Sequence, residues 1–321
     1  MDLSHCSNLV ELPSIGNLQK LQRLILEGCS KLEVIPTNIN LESFYELDLT
    51  DCLMLKSFPE ISRNIKVLKL RGTAIEEVPL SIRSWTRLQS LHMSYCDSLG
   101  EFPHALDTIT ELYLSDTEIQ EIPPWVKDIS RLHILVLKGC RKLASLPQIP
   151  DSLSLIDAGD CESLERLDCS FHNPKRLIFA KCFKLNQDAR DLIIQTPTSG
   201  HAVLPGREVP AYFTHRATTG GFLTIKLNER PFPTSMRFKA CILLVKIGED
   251  EAGDDKISFN FFVECKRSKH LLYPLLTEHL YIFEVEAEVT SSELVFEFTT
   301  NRNEWKIGKC GVVQLLEVPS C

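Results

Sequence analysis

The chain has 321 residues, 44% of them hydrophobic and 24% charged, which is enough for two domains of ordinary size and excludes a disordered chain. Residues 1–186 carry 20 basic and 25 acidic side chains and residues 187–321 carry 15 and 18, for a net −8. Neither half has the basic excess of a nucleic-acid or anionic-membrane binder, so neither partner is expected.

From the first residue the chain repeats itself. The units read MDLSHCSNLVELP, LQRLILEGCSKLEVIP, FYELDLTDCLMLKSFP, IKVLKLRGTAIEEVP, LQSLHMSYCDSLGEFP, ITELYLSDTEIQEIP, LHILVLKGCRKLASLP, LSLIDAGDCESLERL and PKRLIFAKCFKL. Their shared Cys/Thr position falls at Cys6, Cys29, Cys52, Thr73, Cys96, Thr117, Cys140, Cys161 and Cys182, with spacings of 21 or 23 residues. That period is the signature of a leucine-rich-repeat solenoid, predicted here over residues 1–186, with a truncated first unit. Met1 falls mid-repeat with no polar capping unit before it, so a fragment, a short gene product or a covered edge is expected.

Leucines two apart, such as Leu24 and Leu26 or Leu135 and Leu137, belong on a short strand with both side chains inward. One repeat cannot bury them, so stacked neighbours must. The turn after each strand needs a small side chain that enters the core and satisfies backbone polar groups. Threonine hydroxyls and, more weakly, cysteine S–H groups can do this, which assigns seven of the twelve cysteines to a buried ladder. With no N-x-Ser/Thr sequon and no leader peptide in MDLSHCSNL, reduced cytosolic thiols are the better reading. A metal site at Cys161, Cys169, His172 and Cys182 is disfavoured because two of the four belong to the ladder, and no cofactor is expected. Prolines 13, 36, 59, 79, 103, 123 and 147 close seven units, so the convex side should be extended or 3-10 rather than α-helical.

Residues alternating with the inward leucines line the concave face. The rows include Glu46/Asp48 beside Lys69/Arg71, which can pair laterally and keep the face soluble. From His92 through Tyr113 to Val136, a titratable ring, an aromatic and an aliphatic converge as in a protein hot spot. Lys69, Arg71, His92, Tyr113, Val136, Lys138 and Ile178 are the candidate partner contacts. No nucleophile–base or metal constellation accompanies them, so no enzyme activity and no catalytic residue are expected.

After Lys184 the repeat stops. Residues 187–195 (QDARDLIIQ) read as a short amphipathic helix, and 187–202 as a linker. Six strands follow at 222–227, 241–247, 257–265, 280–289, 294–300 and 310–318, with an exposed loop at 248–255. They predict an all-β sandwich over residues 203–321.

These segments resemble a known family. The repeats GCSKLEVIPTNINLESFYELDLTDC, LKSFPEISRNIKVLKLRGTAIEEVP and LHMSYCDSLGEFPHAL are similar to those of plant intracellular TIR-type nucleotide-binding leucine-rich-repeat immune receptors. FAKCFKLNQDARDLI (179–193), VLPGREVPAYFTHRATTGG (203–221) and WKIGKCGVVQLLE (305–317) are similar to their post-repeat jelly-roll/Ig-like (C-JID) domain. The resemblance implies a non-catalytic module that binds a pathogen effector or host protein, in the cytoplasm and also the nucleus. The alternative is a truncated receptor that acts as a scaffold, or that regulates full-length receptor chains. It carries the post-repeat motif onto Pro205, Gly206, Arg207, Glu208, Val209 and Pro210. There Gly206 suggests a turn, and Arg207 and Glu208 are either partner contacts or members of an internal ion pair. The family's NAD-cleaving and nucleotide-binding parts have no counterpart among these residues.

Overall fold

The computed structural model describes residues 1–39, 41–103, 108–227, 233–247, 262–265 and 268–315. The expected loop at 248–255, the first part of the strand expected at 257–265 and the end of the one expected at 310–318 lie outside them. Two compact units emerge: Met1–His172 with Lys181–Leu192, and Asn173–Ala180 with Ile193–Cys321.

In the first unit, leucine pairs on successive turns produce short parallel strands: β1 (Arg23–Ile25), β2 (Glu46–Asp48), β3 (Val67–Lys69), β4 (Ser90–His92), β5 (Glu111–Tyr113), β6 (Ile134–Val136), β7 (Ser145–Leu146), β8 (Leu155–Asp157) and β9 (Arg166–Leu167). One parallel sheet runs β1-β2-β3-β4-β5-β6-β8, and β7 pairs with β9 separately. Register is the same at each step, with Leu24 opposite Leu47, Leu47 opposite Leu68 and Leu68 opposite Leu91. Keeping register places Leu24, Leu26, Leu135 and Leu137 in the core at 0% exposure. Beyond the prolines, 3-10 turns form at Leu80–Ser84 and Pro124–Asp128, with Pro79 and Pro123 at their N-terminal caps.

The ladder position works by bonding between repeats. Each buried cysteine donates its S–H to the leucine or alanine carbonyl that precedes the equivalent position one repeat earlier. The pairs are Cys29 to Leu3 (3.2 Å), Cys52 to Leu26 (3.3 Å), Cys96 to Leu70 (3.1 Å), Cys140 to Leu114 (3.2 Å), Cys161 to Leu137 (3.2 Å) and Cys182 to Ala158 (3.0 Å). Threonine does something different. Thr73 and Thr117 donate to the carbonyl of their own repeat, Leu70 at 2.8 Å and Leu114 at 2.9 Å. Cys6 corrects the expectation of seven buried thiols, because it is exposed.

The turn length follows the residue. All seven cysteines lead a C-x-x-L turn closed by a backbone bond, as in Leu32 N to Cys29 O at 3.0 Å and Leu143 N to Cys140 O at 3.1 Å. The threonines lead T-x-I, one residue shorter, with Ile75 and Ile119 buried in its place. Just before the ladder residue the backbone is left-handed in all nine units: His5, Gly28, Asp51, Gly72, Tyr95, Asp116, Gly139, Asp160 and Lys181, with φ between 52° and 77°. At all three glycines among these positions a side chain of the preceding repeat also stands where a Cβ would be, His5 Nδ1 lying 2.3 Å away at Gly28. A Cβ on Gly72 would stand 2.5 Å from Asp51 Oδ1, and one on Gly139 would stand 2.2 Å from Asp116 Oδ1.

The second unit contains β10 (Arg176–Ile178), β11 (His201–Pro205), β12 (His215–Ala217), β13 (Phe222–Lys226), β14 (Ser235–Lys246), β15 (Phe262–Cys265), β16 (Ser268–Leu271), β17 (His279–Glu288), β18 (Glu293–Glu297), β19 (Thr299–Thr300) and β20 (Trp305–Gln314). Its main sheet runs β10-β11-β17-β14-β20-β12, with β13–β18 and β16-β15-β19 as smaller sheets. Here β10 and β11 are parallel, while the other pairings of the main sheet are antiparallel. The short β11 and β12 were not foreseen from sequence, because their burial does not alternate (HAVLP is buried throughout) or is slight (HRA). Helix α1 (Gln187–Gln195) occupies the segment read as helical. Asn186 Oδ1 accepts from the amide of Ala189 at its start.

Side chains from β10, β11, β13, β14, β17, β18 and β20 share one apolar core, including Ile178, Val203, Leu223, Phe238, Phe283, Phe296 and Val312. Lys239 is 0% exposed and donates to three carbonyls, those of Ile194 (2.9 Å), Gln195 (2.9 Å) and Thr196 (2.7 Å). A helix end leaves such carbonyls without partners, and a cation is well matched to them. Burial pulls the Lys239 ammonium down to about 8, with Glu284 opposing.

Candidate protein-binding face

Strand residues alternating with the buried leucines form the outward face of the first unit's sheet. At one end this face is an ion-pair cluster. Arg23 Nε donates to Glu46 Oε2 at 2.5 Å, and Lys69 Nζ lies 3.2 Å from Glu46 Oε1 and 3.0 Å from Asp48 Oδ2. Asp48 also accepts from Thr50 Oγ1 at 2.7 Å. Glu46 and Asp48 are only 8% and 6% exposed. Burial alone would raise the Glu46 carboxyl, but the bonds from Arg23 and Lys69 outweigh it and hold it below the usual range. Burial likewise opposes the Lys69 charge, and its two carboxylates more than restore it. Lys69 is therefore committed to lateral pairing.

The next two repeats carry a polar-aromatic cluster. His92 and Tyr113, opposite each other on β4 and β5, stack with ring centroids 4.2 Å apart and planes 10° from parallel. Ser90 Oγ lies 2.8 Å from His92 Nε2 and 3.1 Å from Glu111 Oε2, and Tyr113 Oη donates to the same oxygen at 3.4 Å. A carboxylate only accepts, so Ser90 gives its single proton to Glu111 and takes one from Nε2–H of His92. That leaves Nδ1 of His92 as an acceptor. Burial, then the nearby Lys69, lowers the His92 pKa, which keeps the ring neutral. Burial, then Glu111, raises that of Tyr113. The serine stands between histidine and acid, the reverse of a nucleophilic triad, in which the histidine bridges the other two.

Beyond this cluster the face is aliphatic, with Ile134, Val136 and Leu155 half-buried on β6 and β8. Lys138 at its edge lies 4.0 Å from Asp160, which also pairs with Lys181 at 3.2 Å. Asp157 accepts from Gly159 N at 2.9 Å, and burial raises its pKa. Of the seven residues expected to contact a partner, Lys69, Arg71, His92, Tyr113, Val136 and Lys138 share this face. Ile178 does not, because it is 2% exposed and packed in the core of the second unit, which corrects its assignment. The alternation rule gave it an outward position, but on β10 that side chain packs into the second unit's apolar core.

The residues at 205–210 form a braced turn in the second unit. Gly206 donates to Glu278 O at 2.8 Å, and a Cβ there would lie 2.6 Å from Leu280 Cγ. Pro205 ends β11, and Val209 is 8% exposed. Pro210 O accepts from Phe213 N at 3.1 Å. Arg207 pairs with Glu278 at 3.0 Å and Glu208 pairs with Lys309, so each has an internal partner and they do not pair with each other. The alternation with inward leucines places Ser90 and Glu111 on this face without assigning them a contact, whereas Tyr95 and Asp160 were not singled out from sequence. The signal was present for Tyr95 and Asp160, because the residue before the ladder position recurs every 21 or 23 residues.

Comparison with known proteins adds a lineage. Residues 204–317 match the C-JID domain model. The "Probable disease resistance protein RPP1" of Arabidopsis thaliana is 56% identical over 275 residues, covering 81% of this chain and 23% of that protein. The Arabidopsis "Disease resistance protein TAO1" is 51% identical over 164 residues, 48% of this chain and 14% of the relative. The chain thus spans about a quarter or less of the length of these relatives. Among solved structures, the leucine-rich-repeat domain of the type III effector XopL aligns with a TM-score of 0.40 at 17% identity, covering 58% of this chain and 70% of that one. No helix among the described residues is long and apolar enough to cross a membrane. The chain is a leucine-rich-repeat array with a C-JID domain at residues 204–317, homologous to a segment of plant disease resistance proteins.

Proposed function

We propose that this chain is the non-catalytic recognition segment of a plant intracellular immune receptor of the TIR type, binding a pathogen effector or host protein. In this reading the repeats occupy 1–186, a linker 187–202 and a β-sandwich 203–321, and the chain resides in the cytoplasm. The observation that carries the reading is the outward face from His92 through Tyr113 to Val136. A stacked aromatic pair there adjoins half-buried aliphatic side chains, with the Glu111 carboxylate beside it bonded by Ser90 and Tyr113. Such a centre, apolar and aromatic with a polar rim, is what binding energy concentrates on.

The test is a binding screen of the purified chain against a panel of purified pathogen effector proteins by biolayer interferometry. At least one should bind, with affinity falling about 10-fold or more in Tyr113→Ala and Val136→Ala. Binders indifferent to both substitutions, or chemical turnover of a bound protein, would sink the proposal.

A further inference from the structure

Arg71 differs from the other cations on the outward face of the first unit. Arg23, Lys69 and Lys138 each lie within 4.0 Å of a carboxylate. Among the described residues Arg71 has no such partner. Its guanidinium lies over the Tyr95 ring instead, 4.6 Å from the centroid. A guanidinium stacked by its face keeps its in-plane N–H fork available, and that fork matches a carboxylate.

Tyr95 is unusual in the same place. It holds the left-handed position of its repeat at φ 61° while 45% exposed, where three other repeats use glycine. A bulky residue there holds its backbone in a strained conformation. The repeat between Tyr95 and the Cys52 turn is a threonine repeat, with the shorter turn and only Gly72 and Ala74 at its outer positions. Leu53 and Met54, on the longer Cys52 turn, are 56% and 46% exposed. A cation on an aromatic ring is therefore followed, along the same edge, by Gly72 with the Asp51 side chain packed close to it, and then by two exposed aliphatic side chains.

We propose that Arg71 and Tyr95 form a docking point for a protein segment presenting a carboxylate beside an apolar side chain. The carboxylate takes the Arg71 fork, and the apolar group covers Leu53 and Met54. Charge complementarity selects this occupant, since the neighbouring cations are already neutralised and Arg71 is not. The proposal rests on the reading that this face binds protein, and extends it to the turn edge.

Selection of a random 12-residue peptide library displayed on phage against the immobilised chain tests it. Selected peptides should be enriched in Asp or Glu next to Leu, Ile or Phe, and should lose about 10-fold in affinity on Arg71→Gln. Tyr95→Gly should also weaken them several-fold while folding normally, because Gly28, Gly72 and Gly139 hold the equivalent position. Peptides without acidic enrichment, or binding Arg71→Gln as well as wild type, overturn the docking point. Peptides lost on Tyr113→Ala but kept by Arg71→Gln overturn it too, and leave the central face standing as a binding surface. A library yielding no binder overturns both.

Discussion

The two units bury polar groups in opposite ways. In the repeats a single solution is copied: a short side chain at one position donates to a carbonyl of its own or the preceding repeat, six times from sulfur and twice from a hydroxyl. In the second unit each solution occurs once. Lys239 serves three carbonyls, Tyr281 Oη donates to Pro274 O at 2.6 Å and accepts from Leu276 N at 2.7 Å, and His201 Nε2 lies 3.2 Å from Tyr273 O. Copied bonds spread the energetic risk over many weak contacts. Single bonds concentrate it, so substitutions should hurt the second unit more.

The largest contrast is expected at Lys239. Lys239→Met removes three charge-assisted bonds and strands buried carbonyls, so the second unit should lose about 3 kcal/mol or more. Cys140→Ala, which leaves Leu114 O still bonded by Thr117, should cost about 1 kcal/mol. Urea unfolding of the two variants, with hydrogen exchange reporting each unit, measures the difference. Equal losses would break the contrast.

Acid should reach the second unit first. His201, 2% exposed, is pushed down to about 3 by burial, with Arg176 and then His270 adding repulsion. Its folded pKa lies below its unfolded value near 6.5. The folded state then binds fewer protons, and stability falls as pH drops below about 6.5, at roughly 1.4 kcal/mol per unit. Between pH 6.5 and 5 that is about 2 kcal/mol, and a His201→Asn variant should lose this slope. An unchanged slope in the variant would remove His201 from the account.

Within the repeats, residue and turn length should be coupled. Cys96→Thr alone puts a β-branched side chain on a turn one residue too long and should cost about 1.5 kcal/mol. Deleting Ser98 in the same chain, to give the T-x-I spacing, should recover most of it, a non-additivity measurable in a double-mutant cycle. Additive losses would show that threonine and the short turn are independent.

The smallest effect is expected on the outward face. Glu46→Gln weakens the bonds to Arg23 and Lys69 and should cost about 1 kcal/mol at pH 7. Because the folded pKa of Glu46 is depressed, its contribution is complete above the unfolded value near 4.5 and is lost as pH falls through the folded value. Thermal melts of wild type and variant should therefore converge in acid.

Much of the first unit was legible because its signals repeat. Leu24, Leu47 and Leu68 could be aligned with one another inside one chain, which gave strand positions, facing and the lateral pairing of Lys69 with its acids. The proline rule also foretold the 3-10 turns that follow Pro79 and Pro123. The second unit offered no internal alignment. Strands β17 and β18 announced themselves by alternation, as in IFEVEAEV, but β11, β12 and the first half of β14 did not, and nothing near Lys239 marks it as buried.

By itself, then, the sequence determined the period, the inward leucines and the Cys/Thr position, because each is a local pattern enforced once per repeat. Tertiary structure decided which carbonyl each ladder residue serves, since that depends on reach: sulfur extends to the previous repeat, while the hydroxyl turns back on its own. It decided that Ile178 is core rather than surface, because burial depends on which side chains distant in sequence pack against a strand. It also left Arg71 on an aromatic ring with no ion-pair partner among the described residues, a fact of neighbours rather than of spacing.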